Sequence, residues 1–481
     1  MGVLNNLEPK TVFHFFEELT NIPHGSGNEK AISDYLVNFA KERGLEVIQD
    51  KALNVIIRKP ATAGYENAPT VIIQGHMDMV CEKTKSSNHD FMKDPLELRI
   101  DGDYVYATDT TLGSDDGIAV AYGLAILDSK EISHPAIELL ATTEEETGMD
   151  GAAALDVSPL KGKILLNIDS EEEGIFLVSC AGGVNTFAKF KTNWEEAKGV
   201  SLKLEVTGLN GGHSGMEIDK QRGNANKLMG RLLYSLKKEV CFNLVSVNGG
   251  SKHNAIARDC QAIITLEEKD IDKVKEVCKL VQEDFRVEYR VEDPKVEILV
   301  EKAEKAEKQL TKEVTNNIVS FLLLVPYGVQ TMSKDIKGLV QSSLNLGVVE
   351  TSEEEIKCTL AVRSSLKSLK YEIVDRIEAL SKALGGCIAN ENEYPEWQYE
   401  TDSKIRDLCV ETYESLFGKK PEISAIHAGL ECGLLKEKMQ DTDMISFGPD
   451  LIDVHTPNEH LRISSVERVW KFLVELLKEI K

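Results

Sequence analysis

The chain has no CxxC pair, no apolar run long enough to cross a bilayer and no stripe of Lys and Arg interleaved with aromatics. Each absence closes a class of function. A membrane-spanning helix needs about 20 consecutive apolar residues, so none is expected. Met1 to Lys10 lacks the basic, apolar and small-residue regions of a secretory leader, and the chain reads as intracellular, hence cytoplasmic. The nine cysteines are scattered and odd in number, which suggests neither a disulfide framework nor a thiolate zinc site; they are expected reduced and mostly buried. With 56 Lys and Arg against 80 Asp and Glu, the net charge of −24 disfavours nucleic acid and anionic membrane as partners. A hydrophobic fraction of 42% and a charged fraction of 28% place it among globular proteins rather than disordered ones. At 481 residues, two or more domains are expected.

Amphipathic patterns predict helices from about Lys10 to Leu19 and from about Glu29 to Arg43, the second closed by Gly44. The β-branched run from Thr70 to Gln74 predicts a doubly covered strand ending at Gly75-His76-Met77-Asp78. A helix from about Asp116 to Asp128 and strands at Ala136 to Ala141 and Lys163 to Ile168 continue an α/β alternation. From about Asn185 the texture changes to longer alternating strands, such as Ser201 to Val206 and Cys260 to Thr265, with helices near Arg222 to Lys238 and Ile271 to Phe285. A helix near Glu313 to Leu324, strands around Leu339 to Val349 and Lys357 to Arg363, and a helix near Leu369 to Leu384 complete this α+β region. After Pro395-Glu-Trp the α/β texture returns, with a helix from Ser403 to Leu416 and strands at Glu422 to Ile426 and Met444 to Phe447. The α+β part therefore reads as an insertion, and the Lys/Glu run from Glu301 to Lys308 as a solvated helix start or loop.

Chemistry gathers at predicted strand ends, where open α/β sheets hold their ligands. His76 and Asp78 lie on one side of the chain, and a carboxylate beside an imidazole can fix its tautomer for metal ligation. An isolated HxD is better explained as a polar strand end with a local hydrogen bond. Gly113-Ser114-Asp115-Asp116-Gly117 begins a helix, so a carboxylate there is either a cap or a metal bridge. Glu144, Glu145 and Glu146 follow another apolar strand and would repel one another unless cations or protons intervene. Asp169 follows a third, and His455 supplies a second imidazole from far along the chain. Two histidines and several acids at one sheet edge point to a metal centre rather than to coincidence.

In order along the sequence, GHMDMV, TLGSDDGIA, EEETGMDGA, NIDSEEEG, GGHSG, HNAIAR, IHAGLECGLL and the late His455-Thr-Pro resemble the aminoacyl-histidine dipeptidases of the PepD and carnosinase type, within the co-catalytic di-zinc peptidases and aminoacylases. The motifs cover nearly the whole chain. The resemblance implies an α/β fold: a di-zinc aminopeptidase-like catalytic domain with an inserted α+β lid domain, divided as residues 1–186, 187–397 (lid and dimerisation) and 398–481. It implies two Zn2+ per subunit, with Mn2+ or Co2+ also admitted by such ligands. His76, Asp115 and Asp169 would hold one ion and Asp115, Glu146 and His455 the other. Asp78 would support His76, and Glu145 would act as general base on a metal-activated water attacking a dipeptide.

The family's Glu-Glu pair stands one residue before a glycine, so Gly148 sets the register at Glu145 and Glu146; Glu144 with Glu145 is the alternative. By the resemblance His213 reaches a catalytic centre, often the partner subunit's in a homodimer, whereas the bare sequence favours a surface turn with a solvated histidine. Asn254 and Arg363 would bind the substrate's terminal carboxylate region, Arg363 being open also to a structural salt bridge. His427 and Gly429 to Glu431 would lie on substrate-facing loops. Ala257 departs from the family's usual proline without displacing Asn254 or Arg258. An aminoacylase or carboxypeptidase of the same superfamily, or a non-catalytic metal- or peptide-binding relative, is the alternative; retention of every ligand and of Glu145 counts against the last.

Overall fold

The computed structural model describes residues 2–481, in two compact units. One gathers the chain up to Ser179, Tyr399–Ala425 and Leu430–Lys481; the other consists of Cys180–Gln398 and Ile426–Gly429. Among the described residues no helix is long and apolar enough to cross a membrane.

The first unit is built on an eight-stranded mixed sheet in the order Glu46–Gln49, Val55–Lys59, Ile137–Thr142, Val71–His76, Ile164–Asn167, Asp443–Ser446, Ile175–Cys180 and Glu422–Ile426. Strands 137–142, 71–76, 164–167 and 443–446 run parallel, pairing His76 with Thr142, Gln74 with Asn167 and Ser446 with Asn167. Their carboxyl ends therefore share one edge. Val71–His76 and Ile137–Thr142 are buried at every position, as doubly covered parallel strands must be. Helix Ser114–Asp128 is apolar almost all round and buried accordingly, packed against Lys10–Thr20. Its first residues are not helical: Asp115 has φ −87°, ψ 101° and Asp116 φ −120°, ψ 32°, so the regular helix begins beyond them. Helix Ile463–Glu479 presents Val466, Val469, Phe472, Leu473 and Leu476 inward, and Phe472 stacks on Phe176 at 5.3 Å. Truncating such a buried side chain to Ala costs about 2–5 kcal/mol.

A small sheet pairs His460–Arg462 with Tyr104–Ala107 and with Leu451–Ile452, which fixes both ends of the segment carrying His455.

The second unit is an antiparallel sheet in the order Glu297–Lys302, Val200–Thr207, Cys260–Leu266, Phe242–Gly249, Val340–Thr351, Glu355–Ser364, Gly182–Lys191 and Cys387–Tyr394, with Gly328–Met332 also paired to Val340–Thr351. Alternation sends Leu202, Leu204 and Val206 into a core shared with helices Ala225–Glu239, Ile271–Glu288, Lys312–Leu324 and Lys367–Ala383. Asn224 caps the first of these helices, its side chain accepting from Asn226 N and Lys227 N. The texture change expected near Asn185 falls inside strand Gly182–Lys191.

The run from Glu301 to Lys308 is a loop at residues 303–307 rather than a helix start, with a strand at each end. Glu297–Lys302 is an edge strand on Val200–Thr207, and Lys308–Leu310 pairs with Trp194–Glu196. An edge strand tolerates exposed charge, and Lys203 meets Glu301 at 3.2 Å across it.

Candidate metal centre

Seven of the expected site residues converge in the first unit. His76 closes strand Val71–His76, Asp169 follows Ile164–Asn167, and Glu145 and Glu146 follow Ile137–Thr142. His76 Nε2 lies 3.1 Å from Asp115 Oδ1 and 3.6 Å from Asp169 Oδ1. His455 Nε2 lies 3.2 Å from Asp115 Oδ2 and 3.0 Å from Glu146 Oε1. Asp115 thus divides its two oxygens between the two imidazoles. Three sets of donors, His76/Asp116/Asp169, His76/Glu145/Glu146 and Asp115/Glu146/His455, are each close enough to share one ion. Glu144 belongs to none of them.

The donor set asks for positive charge. His76 Nδ1 lies 3.0 Å from the main-chain oxygen of Asp78, a contact that suits an Nδ1–H donor and leaves Nε2 as a lone pair facing two carboxylates. That arrangement repels unless a proton or a cation stands between. Burial works to lower the His76 pKa, yet Asp115, Asp169 and Asp78 raise it well above the ordinary value. Hydrogen bonds to Asp115 and Glu146 lift His455 to about 11. Burial, reinforced by repulsion from Asp115 and Glu146, lifts Asp169 to about 7. Asp116 is fully buried and neither of its carboxylate oxygens has a hydrogen-bond partner among the described residues. Imidazoles and carboxylates in this proportion fit divalent ions that accept mixed N and O ligands.

Asp78 does more than its expected support of His76. Its Oδ1 lies 3.4 Å from His76 Nδ1, but the carboxylate also accepts from Glu145 N at 3.1 Å, Glu146 N at 3.4 Å and Ser26 Oγ at 2.7 Å. It holds the backbone of the glutamate pair, while Glu29 Oε1 accepts from Glu144 N at 3.2 Å on the residue before. Glu144, Met149 and His455 all have positive φ, at 52°, 61° and 61°. Such conformations cost of order 1–3 kcal/mol each in non-glycine residues and concentrate where function requires them. Burial, followed by repulsion from Asp169, Glu431 and Glu146, raises the Glu145 carboxyl well above the usual range.

Glu431 requires a correction. Rather than facing a substrate, it is wholly buried in the first unit, Oε2 accepting from Gln74 Nε2 at 2.6 Å and Thr142 Oγ1 at 2.7 Å. It fills a polar gap between two parallel strands.

The remaining expected residues lie in the second unit. Gly212 at φ 141° and His213 form a short bridge to Ala255–Ile256, and Gly215 N and Met216 N donate to His213 Nδ1 at 3.3 and 3.1 Å. The Nδ1 lone pair is thereby used and Nε2 carries the hydrogen. Burial and the neighbouring Arg363 lower the His213 pKa, so the ring is neutral. A Cβ on Gly215 would meet His427 O, His213 Cε1 and Arg363 Nε within 2.6 to 3.3 Å, so these three residues gather round it. Arg363 Nη1 donates to Tyr394 Oη at 2.7 Å, while its buried Nε has no acceptor among the described residues. Among the described residues no carboxylate pairs with it. His427 Nε2 meets Ser343 Oγ at 2.7 Å, and burial with Arg363 lowers its pKa to about 3. Asn254 lines a cavity of about 530 Å³ with His213 and Arg258, and its main-chain oxygen accepts from Ser214 N at 2.9 Å. Gly429 is partly exposed in the segment Ile426–Gly429.

Residues 72–479 match the model of peptidase family M20/M25/M40. The chain belongs to that family. It is 39% identical over 482 aligned positions to the cytosol non-specific dipeptidase of Escherichia coli (strain K12), covering 100% of this chain and 99% of that one. The solved aminoacylhistidine dipeptidase from Vibrio alginolyticus superposes with a TM-score of 0.95 at 38% identity, over 99% of this chain and 98% of the other. Aminopeptidase PepT from Bacillus cereus ATCC 10987 shares the fold, with a TM-score of 0.57 at 15% identity over 98% and 99% of the two chains. The mixed sheet and the separate antiparallel sheet are those of this peptidase family.

Sequence reasoning missed Ser26, Glu29 and Glu459, and it named Asp116 only within the Asp115-Asp116 pair. For Asp116 the signal was present in the Asp-Asp pair itself; the other three act on backbone amides or on distant side chains, which no local motif reveals.

Proposed function

We propose that this family member is a metal-dependent dipeptidase hydrolysing dipeptides, Xaa-His among them, with two divalent ions per subunit, zinc foremost and manganese or cobalt as substitutes. The observation that carries the reading is Asp115, whose two oxygens are shared between His76 and His455 with Asp169 and Glu146 alongside. His76, Asp115 and Asp169 would hold one ion and Asp115, Glu146 and His455 the other. When bound, such a pair polarises a carbonyl and lowers the pKa of water toward ~7.

The chain's own groups do the rest. Glu145 takes the proton of the attacking water and returns it to the departing amine nitrogen, and its raised pKa brings it nearer the range in which both transfers run at neutral pH. Asp78 holds the backbone of Glu145 and Glu146 in place for that exchange. His213, neutral with hydrogen on Nε2, is a donor suited to a developing oxyanion. Arg363, with an unused Nε, is the reader of a terminal carboxylate, with Asn254, His427 and Gly429 contributing to substrate contact. Strong identity to a dipeptidase named as cytosolic supports a cytoplasmic location, and a homodimer formed through the second unit, acting as lid, completes the reading.

Metal analysis combined with hydrolysis of Ala-His, Gly-Gly, a tripeptide and an N-acyl amino acid tests it. Close to two ions per chain and a preference for the dipeptides are expected. Full activity after complete demetallation, or preference for the N-acyl amino acid, overturns it.

A further inference from the structure

Glu459 stands four residues beyond His455 and is 2% exposed. Its Oε2 accepts from Leu112 N at 2.8 Å and Gly113 N at 3.2 Å. Its Oε1 accepts from Ser114 N at 2.8 Å, Ser114 Oγ at 2.7 Å and Asp115 N at 3.4 Å. Four consecutive backbone amides and a hydroxyl converge on one carboxylate. No Lys or Arg pairs with it among the described residues, so these donors alone compensate its burial. Successive amides turned to one side make a concavity that binds anions, and here the chain fills it with its own side chain.

The two segments so joined are those that carry Asp115 and His455. Gly113, at φ 66°, makes the turn that points the amides of residues 112 to 115 inward, and Asp115 then leaves the loop with its oxygens directed at both imidazoles. His455 is half exposed on a turn of positive φ, between the paired strands Leu451–Ile452 and His460–Arg462. We propose that Glu459 is a positioning residue, which locks the loop of Asp115 to the segment of His455 so that the shared carboxylate is set before an ion arrives. The inference rests on the metal reading given above.

A glutamine cannot replace it. With Oε1 and Oε2 both surrounded by donors, an amide must turn its NH2 toward Leu112 and Gly113 or toward Ser114 and Asp115, and donor then meets donor in either orientation. Aspartate keeps both oxygens with a shorter reach.

The test compares the full chain with Glu459→Gln, Glu459→Asp and Ser114→Ala, and with Lys59→Met as a stability control; Lys59 Nζ donates to Ile126 O at 2.8 Å, at the far end of helix Ser114–Asp128. Zinc affinity by chelator competition and hydrogen exchange of the 112–115 amides in metal-free protein are the readouts. Glu459→Gln should weaken zinc binding about 10–100-fold, the usual cost of removing a group that orients a ligand, and should expose those amides to exchange. Glu459→Asp should recover part of both. Ser114→Ala, which removes one donor only, should weaken binding less and in the same direction, and carries the test should Glu459→Gln fail to fold. Lys59→Met should lower the melting temperature while leaving zinc affinity unchanged. Unaltered zinc affinity in Glu459→Gln, unchanged protection of residues 112–115, or an equal loss of affinity in Lys59→Met would each overturn the inference. Should the unmodified chain bind no zinc, the metal reading falls, and the exchange of the four amides alone decides whether Glu459 holds the loop.

Discussion

Glutamine at each of the three consecutive glutamates separates base, ligand and bystander. Glu145→Gln changes charge but hardly shape, and the main-chain amide of residue 145 can still donate to Asp78 Oδ1, 3.1 Å away, so the loop should stay where it is. What disappears is the proton acceptor. General-base catalysis contributes about 10²–10⁴-fold, so kcat should fall by that factor, or about 3–5 kcal/mol of transition-state stabilisation at 1.36 kcal/mol per decade. Both ions should remain. Glu146→Gln differs because Glu146 Oε1 lies 3.0 Å from His455 Nε2, within a set of donors able to share an ion. A neutral amide there is a weaker ligand, and the metal content should drop below two per chain. Glu144→Gln should leave kcat within about threefold, under about 0.7 kcal/mol of barrier, since Glu144 joins none of the donor sets. The assay is dipeptide turnover beside metal content after gel filtration. A dead, metal-loaded Glu144→Gln protein, with Glu145→Gln losing metal instead, would refute the register and shift the pair to Glu144 and Glu145.

Metal loading should release protons. The neighbouring carboxylates raise His76 against the effect of its burial and raise His455 to about 11, so both imidazoles are protonated in metal-free protein at pH 7 and an ion must displace those protons. Affinity should therefore fall as pH falls, and calorimetry in buffers of different ionisation enthalpy should detect net release; its absence would contradict the assignment. Arg363→Ala should raise KM for free dipeptides, and C-terminally amidated dipeptides should be poor substrates of the unmodified enzyme, because the unpaired Nε marks a guanidinium with a donor to spare. Equal turnover of amidated and free dipeptides removes that role. His213→Ala should lower kcat about 10²–10³-fold, the cost of one oxyanion donor, with metal content unchanged. If His213 serves the neighbouring subunit, mixing the His213→Ala and Glu145→Gln proteins should restore part of the activity; a fully active His213→Ala enzyme excludes it from the mechanism.

Periodicity made the parallel strands legible because residues such as Val71 to Ile73 are buried on both faces and tolerate nothing but apolar side chains. Glu301 to Lys308 reads in the sequence as a solvated helix start or loop; residues 303–307 form that loop, and only the two ends pair as strands that leave their charges in water. Ligand candidates were legible for a related reason: His76, Glu146 and Asp169 follow apolar strands directly, so the strand ends that expose them also announce them. Glu431 misled because its motif follows a predicted strand in the same way. Only the packing reveals that its carboxylate turns inward to Gln74 and Thr142.

Asp78 and Glu459 explain why the ligands alone do not define the centre. Each carboxylate is about 1% to 2% exposed and takes main-chain amides from a ligand-bearing loop, Asp78 from residues 145 and 146 and Glu459 from residues 112 to 115. A buried carboxylate without such donors is costly, and a loop whose amides lack an acceptor is costly too, so each anchor and its loop are stable only together. The anchors are also covalently close to imidazoles: Asp78 is two residues from His76 and Glu459 four from His455. An imidazole and its anchor therefore cannot move independently, and neither can the loop the anchor grips. The two histidine segments draw the loops of Asp115 and Glu146 against them, which is how donors as much as 340 residues apart in sequence come within 4 Å of one another.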